Sequence, residues 1–221
     1  MALNINGTTG ISGVDGSVSA PALTGTDSNT GITFPAADTI KFATGGVERM
    51  SITNSGISGI TTGITNAQQF RLASDQGGSG SAGTVLTNWQ DAMTTYTAIG
   101  GNWSHSSGVF SCSATGIYLC HWTFVVSGTN TGDAYDPNVQ ISTNSGSNYT
   151  TRSRTWGKVA ASAGVHIDSP SQSFMFDVTN TSTFRLRYRE SSGNDVSSGT
   201  TIAGSSSENM TNIMFIRLGD T

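Results

Sequence analysis

Two short runs hold the side chains best suited to chemistry. In the segment Thr129–Pro137 the acids Asp133 and Asp136 flank Tyr135, and in Phe184–Arg189 the arginines Arg185, Arg187 and Arg189 alternate with Phe184, Leu186 and Tyr188. Three uses fit the acidic run. Two carboxylates and neighbouring carbonyls are hard ligands of the kind calcium takes. The same acids could accept hydrogen bonds from a sugar while Tyr135 stacks on its ring, or the segment is an ordinary polar turn. The arginine run has two readings. Planar guanidinium forks bind carboxylate or phosphate in bidentate fashion, as on an envelope lipopolysaccharide, or they pair across strands or between subunits with Asp177 or Glu190. Asn194 and Asp195, in the Gly/Ser-rich stretch Ser191–Glu208, offer a further exposed loop for contact with a ligand.

Nothing in the chain assembles a catalytic residue set. His105, His121 and His166 lie in no Ser/Asp pattern of a nucleophile site, and there is no phosphate-binding or dinucleotide loop. No enzyme activity and no cofactor is expected, calcium aside. The two cysteines, Cys112 and Cys120, read as buried thiols in a hairpin, with a disulfide as the alternative. A net charge of −4, with lysine only at positions 41 and 158, argues against a duplex nucleic-acid partner, which takes clustered cations. No stretch approaches the roughly 18 apolar residues that span a bilayer, and the opening MALNINGTTGISG has no basic and apolar secretory pattern. Assembly in a bacterial cytoplasm is therefore expected.

The elements that must position these groups are strands. Only 11% of residues are charged, and the 28 glycines with many Ser, Thr and Asn disfavour helix, so an all-β fold follows. Between Leu23 and Ile52 three short alternating runs put Ile32 with Phe34, Ile40 with Phe42, and Met50 with Ile52 on one face, joined by turns at Pro35–Asp38 and Thr44–Gly46. Six apolar side chains cannot dry a core alone, so this face is expected to meet copies of itself in a thin trimer. Residues 1–22 form an N-terminal docking thread, 23–66 a fibre-like module, 67–82 a Gly/Ser-rich hinge, and 83–221 a head. In the head, Ile117–Val126 is apolar on both faces, as is Ile213–Leu218, where Met214 and Ile216 alternate with Ile213 and Phe215. Doubly apolar strands are covered on both sides. Tyr118, Trp122, Phe124, Met214 and Ile216 are accordingly assigned to contacts between subunits.

Two resemblances attach to these residues. The run Asp27–Ile32, then Phe34–Phe42 and Gly45–Met50, resembles a repeat of fibre and tail-associated proteins of bacteriophages, marine cyanophage-type virions in particular. It implies a place on a virion. The run Trp103–Leu119, with its Gly-x-Phe and Gly-x-Tyr, and the closing Met210–Leu218 resemble C1q/TNF-like heads. That likeness implies a ten-stranded jelly-roll sandwich that trimerises about a threefold axis. Together they imply a homotrimeric virion-surface protein on tail or capsid. It would dock on a virion protein through its N-terminal region and attach to a host-surface glycan or protein. The alternatives are a capsid-surface head fibre or decoration protein and, further off, a glycan-cleaving tailspike, which would need paired carboxylates in a groove.

Overall fold

The computed structural model describes residues 4–6, 10–12, 15–59, 63–77, 84–91, 98–129, 134–160, 164–190 and 200–221. The chain divides into two compact units, Met1–Gly63 and Ile64–Thr221. All regular structure among the described residues is strand.

In the first unit β1 (Asn4–Asn6) pairs with β2 (Gly10–Ser12), and β3 (Gly16–Ser17) with β4 (Ala20–Pro21). An antiparallel meander follows: β5 (Leu23–Thr24), β6 (Gly31–Thr33), β7 (Ile40–Thr44), β8 (Val47–Thr53) and β9 (Gly56–Ser58). Its register turns alternation into a surface. Leu23, Ile32, Phe42 and Met50 lie in one cross-strand row, and Ile40, Ile52 and Ile57 in the next. Gly45 and Gly46 take φ of 59° and 74°, the double left-handed conformation that a two-residue hairpin turn requires. At Gly31 the strands approach so closely that a Cβ would stand 1.9 Å from the Leu23 carbonyl oxygen, so the position excludes any side chain.

The opposite face of this meander is closed from within the chain. Thr33, Ala43 and Ser51 are buried, and the Thr33 hydroxyl and the Phe34 amide both donate to the Asp15 carbonyl, each at 2.7 Å. Residues 15–22 thus belong to the module and are not part of a separate thread.

The second unit comprises β10 (Ala67–Leu72), β11 (Gln76–Gly77), β12 (Trp89–Asp91), β13 (Trp103–Ser106), β14 (Val109–Cys112), β15 (Gly116–Thr123), β16 (Val126–Thr129), β17 (Ala134–Tyr135), β18 (Pro137–Ser142), β19 (Thr150–Arg154), β20 (Gly157–Lys158), β21 (Val165–Asp168), β22 (Ser171–Val178), β23 (Arg185–Glu190), β24 (Thr200–Ile202) and β25 (Asn212–Gly219). Two five-stranded antiparallel sheets, β12-β10-β25-β15-β22 and β13-β14-β23-β18-β19, form the sandwich, and β11-β24-β16-β21 extends it. The expected hinge needs correction. Ala67–Leu72 is a strand paired with β25 and β12, so the head begins before it, at Ile64.

Aromatic rings fill the space between the sheets. Trp103 stacks on Phe215 at 3.9 Å between centroids and meets Tyr118, Phe176 and Phe184 edge-on. Full burial of side chains this size contributes about 1.5–3 kcal/mol each. Cys112 and Cys120 are free and buried in the same core, as the thiol reading expected.

Three tyrosines tie this core to pH. Burial pushes the phenols of Tyr118, Tyr135 and Tyr188 well above the usual tyrosine value, and hydrogen bonding to Cys112 and to Asp168 raises the first two further. A folded-state value raised above the unfolded one stabilises fully below about pH 10, and that stability is lost as pH rises beyond it. Alkaline titration followed by tyrosinate absorbance should show these three ionising together with loss of near-UV circular dichroism, not ahead of it. Ionisation of all five tyrosines while the fold persists would refute this.

Candidate functional site

Two surfaces of the head have more than a filling role. The first is the outward face of the sheet β12-β10-β25-β15-β22. Register places Met175, Leu119, Ile216 and Ala67 in one row across four strands, and Ser173, His121, Met214 and Gln69 in the next. Ile117, Met175 and Leu218 are 40%, 67% and 54% exposed. The face carries no compensating charge in these rows; His121 shares a 2.9 Å hydrogen bond with Ser173.

Residues assigned from sequence to subunit contact divide between the two sides of this sheet. Met214 and Ile216 lie on the outward face, part-buried. Tyr118, Trp122 and Phe124 are fully buried in the chain's own core, which corrects their assignment. Their larger rings span the gap to the opposing sheet, where Trp122 meets Tyr188 and its indole N–H donates to the Ser153 hydroxyl at 2.9 Å. Within the first unit, Phe34, Ile40 and Ile52 are 36%, 36% and 37% exposed, while Ile32, Phe42 and Met50 are part-buried. Phe34, Ile40 and Ile52 also line a groove of about 440 Å³ with Ala36, Asp38 and Asn54.

The second surface is the outward face of β19, β18 and β23. Arg154, Asn138 and Arg189 lie opposite one another across these strands, and Thr151, Gln140 and Arg187 form the neighbouring row. Arg187 donates to the Gln140 side-chain carbonyl at 2.8 Å, and Gln140 in turn donates to the Thr151 hydroxyl. The guanidinium of Arg187 stands 4.0 Å over the Tyr149 ring and that of Arg154 4.7 Å over Trp156. Arg185 donates to the Phe184 carbonyl. Phe184, Leu186 and Tyr188 face the core, as their alternation with the arginines predicts.

Cross-strand pairing with Asp177 or Glu190 is not how these arginines are held. Among the described residues no salt bridge involves Arg185, Arg187 or Arg189. Asp177 is exposed on β22 in the other sheet, and Glu190 is buried, accepting from the Asp136 amide.

The acidic run needs the larger correction. Tyr135 is not an exposed stacking platform: it is 2% exposed on β17 and donates its hydroxyl to Asp168. Asp136 is 1% exposed, and Arg154 takes both its carboxylate oxygens in a forked pair. Both oxygens of this carboxylate are engaged and it is closed to solvent, and among the described residues no cluster of three metal-ligating side chains forms. Asp133, Asn194 and Asp195 lie outside the described residues.

Sequence reasoning missed Tyr149, Trp156, Gln140 and Arg154 as parts of the second surface. Their meeting depends on strand pairing and register that local pattern does not give, and only the structure shows Trp156 68% exposed.

No protein-family model matches the chain, and no curated protein matches it. Among solved structures, the head resembles murine APRIL. The crystal form at pH 5.0 has 14% identity, covers 69% of this chain and 98% of that one, and gives a TM-score of 0.50. The same protein at pH 8.5 gives 14% identity over the same shares, with a TM-score of 0.49. At this identity the likeness shows the fold alone. The chain is all-β and its head is a C1q/TNF-like jelly roll.

Proposed function

We propose that this chain is a non-enzymatic, homotrimeric structural protein of a bacteriophage virion, a tail-fibre or receptor-binding protein that attaches the particle to a host surface. One observation carries the trimer: both units present an ordered apolar face that the single chain does not cover. In the head it is Ile117, Leu119, Met175, Met214, Ile216 and Leu218; in the first unit it is the two rows from Leu23 to Ile57. Contiguous apolar faces of this kind are unusual on soluble monomers. Copies of the chain cover both at once, and the jelly-roll fold supports that arrangement.

The virion reading is supported by the motif Asp27–Met50, whose glycines the structure explains: Gly31 by close strand approach, Gly45 and Gly46 by the turn. Attachment by many weak sites suits a trimer displayed in several copies, because avidity replaces single-site strength.

Immuno-gold labelling of intact particles with antibody to the head tests the proposal. Label at the tail tip is the expected result. Label spread over the capsid would replace it with a head-fibre role, and absence of label from purified particles would overturn the virion reading altogether.

A further inference from the structure

Half of the chain's ten basic residues fall on two strands: Arg152 and Arg154 on β19, and Arg185, Arg187 and Arg189 on β23. Those strands flank β18, whose sequence PNVQIS has no charge. On the far side of β23, β14 adds Val109 and Ser111, also uncharged. Asp136, the carboxylate beside this face, is spent on Arg154. In a chain of net charge −4, Arg152, Arg185, Arg187 and Arg189 thus share one sheet without a salt bridge among the described residues.

Arg187 is held in place, which matters for recognition. Arg187 is clamped between the Gln140 carbonyl and the Tyr149 ring, and Nε of Arg189 is buried without an acceptor. Burial first, and then the neighbouring Arg189 charge, lowers the Arg187 guanidinium below its ordinary value. Successive same-face residues on a strand stand about 7 Å apart along the backbone, which is the spacing of the Arg187 and Arg189 positions on β23. Trp156 lies at the edge of the face on the Arg154 side, with most of its ring in solvent.

We propose that this face binds an anionic polysaccharide, with Arg187 and Arg189 holding carboxylate groups along the chain and Trp156 stacking against a sugar ring. A guanidinium fork matches a carboxylate in bidentate fashion, and an indole offers an apolar plane to the C–H face of a pyranose. The face is on the sheet opposite the apolar one, away from the surface assigned above to contact between copies. The biological setting rests on the host-attachment reading; the binding chemistry does not.

The test uses the full chain and polygalacturonate, with its methyl ester as the neutral analogue of the same backbone and oligothymidylate as a polyanion without sugar carboxylates. Calorimetry should show binding to polygalacturonate that weakens with salt, and none to the ester. Arg187→Gln with Arg189→Gln should weaken binding at least tenfold, Arg189→Lys less, and Trp156→Ala three- to tenfold with an unchanged melting temperature. Equal binding to the ester, or tighter binding to oligothymidylate, overturns the proposal. So does binding indifferent to both the arginine pair and the exposed Trp156. Adsorption of particles carrying the arginine variants separates the two readings. Normal adsorption with lost polygalacturonate binding sinks host attachment by this face. Lost adsorption where polygalacturonate never bound sinks the carboxylate ligand and keeps attachment.

Discussion

Arginine at Leu119 and Ile216 in the head, combined with lysine at Ile52 and Ile57 in the first unit, should reduce the assembly to a folded single chain of 22.8 kDa. Leu119 and Ile216 are cross-strand neighbours on the outward face, and Ile52 and Ile57 are cross-strand neighbours on the meander. Covering an aliphatic side chain of this size contributes about 1.5–3 kcal/mol, and each substitution acts in three copies. A buried, unpaired charge adds several kcal/mol of opposition. Each pair alone should therefore shift the trimer toward dissociation by orders of magnitude, and the four together should abolish it. Sedimentation equilibrium reads the mass, and circular dichroism confirms that the sandwich survives. Ile167→Arg is the control: it is 68% exposed but lies on β21, outside the face, and should leave the mass at three chains. An unsubstituted chain that sediments as a monomer would end the proposal before any variant is made.

That assembly depends on a distinction the sequence only half displays. Alternation in Ile117–Val126 separates two apolar faces correctly, Ile117 and Leu119 from Tyr118, Cys120, Trp122 and Phe124. It does not say which face meets the partner sheet of the same chain. What separates them here is area: the large rings bury the most apolar surface in the roughly 10 Å between the sheets, alongside aliphatic side chains such as Leu186 and Ile213. Applied to the sequence, that criterion would have put Tyr118, Trp122 and Phe124 inside from the start. In sequence Ala67–Leu72 reads equally as a short helical turn or a strand, for another reason. AQQFRL is rich in helix formers, and its strand state comes from pairing with β25, nearly 150 residues away in sequence. Asp136 and Tyr135 sit among turn-forming residues and look exposed. What buries them, Arg154 and Asp168, belongs to segments that local pattern does not connect to them. The outward direction of Arg185, Arg187 and Arg189 was fully legible, because it follows from a period of two.

Trp103→Ala should lower the stability of the head by about 3–5 kcal/mol, the range for truncating a buried aromatic, out of the roughly 5–15 kcal/mol that domains possess. The ring is 3% exposed and touches four aromatic neighbours, three on the facing sheet and Phe184 just ahead of β23, so its loss leaves a cavity that stiff rings cannot close. Two phenylalanine replacements then separate packing from hydrogen bonding. The Trp103 indole N–H is buried without an acceptor, whereas that of Trp122 donates to Ser153. Trp103→Phe sheds an unmet donor along with some contact, and the two effects partly offset. Trp122→Phe loses contact and also removes the donor to Ser153 Oγ, which still donates to Gln172. Chemical denaturation at one fixed protein concentration, needed because assembly couples to folding, should therefore rank Trp103→Ala as most destabilised, then Trp122→Phe, then Trp103→Phe. A Trp103→Phe variant weaker than Trp122→Phe would mean that the stack on Phe215 outweighs the indole hydrogen bond in holding the sandwich together.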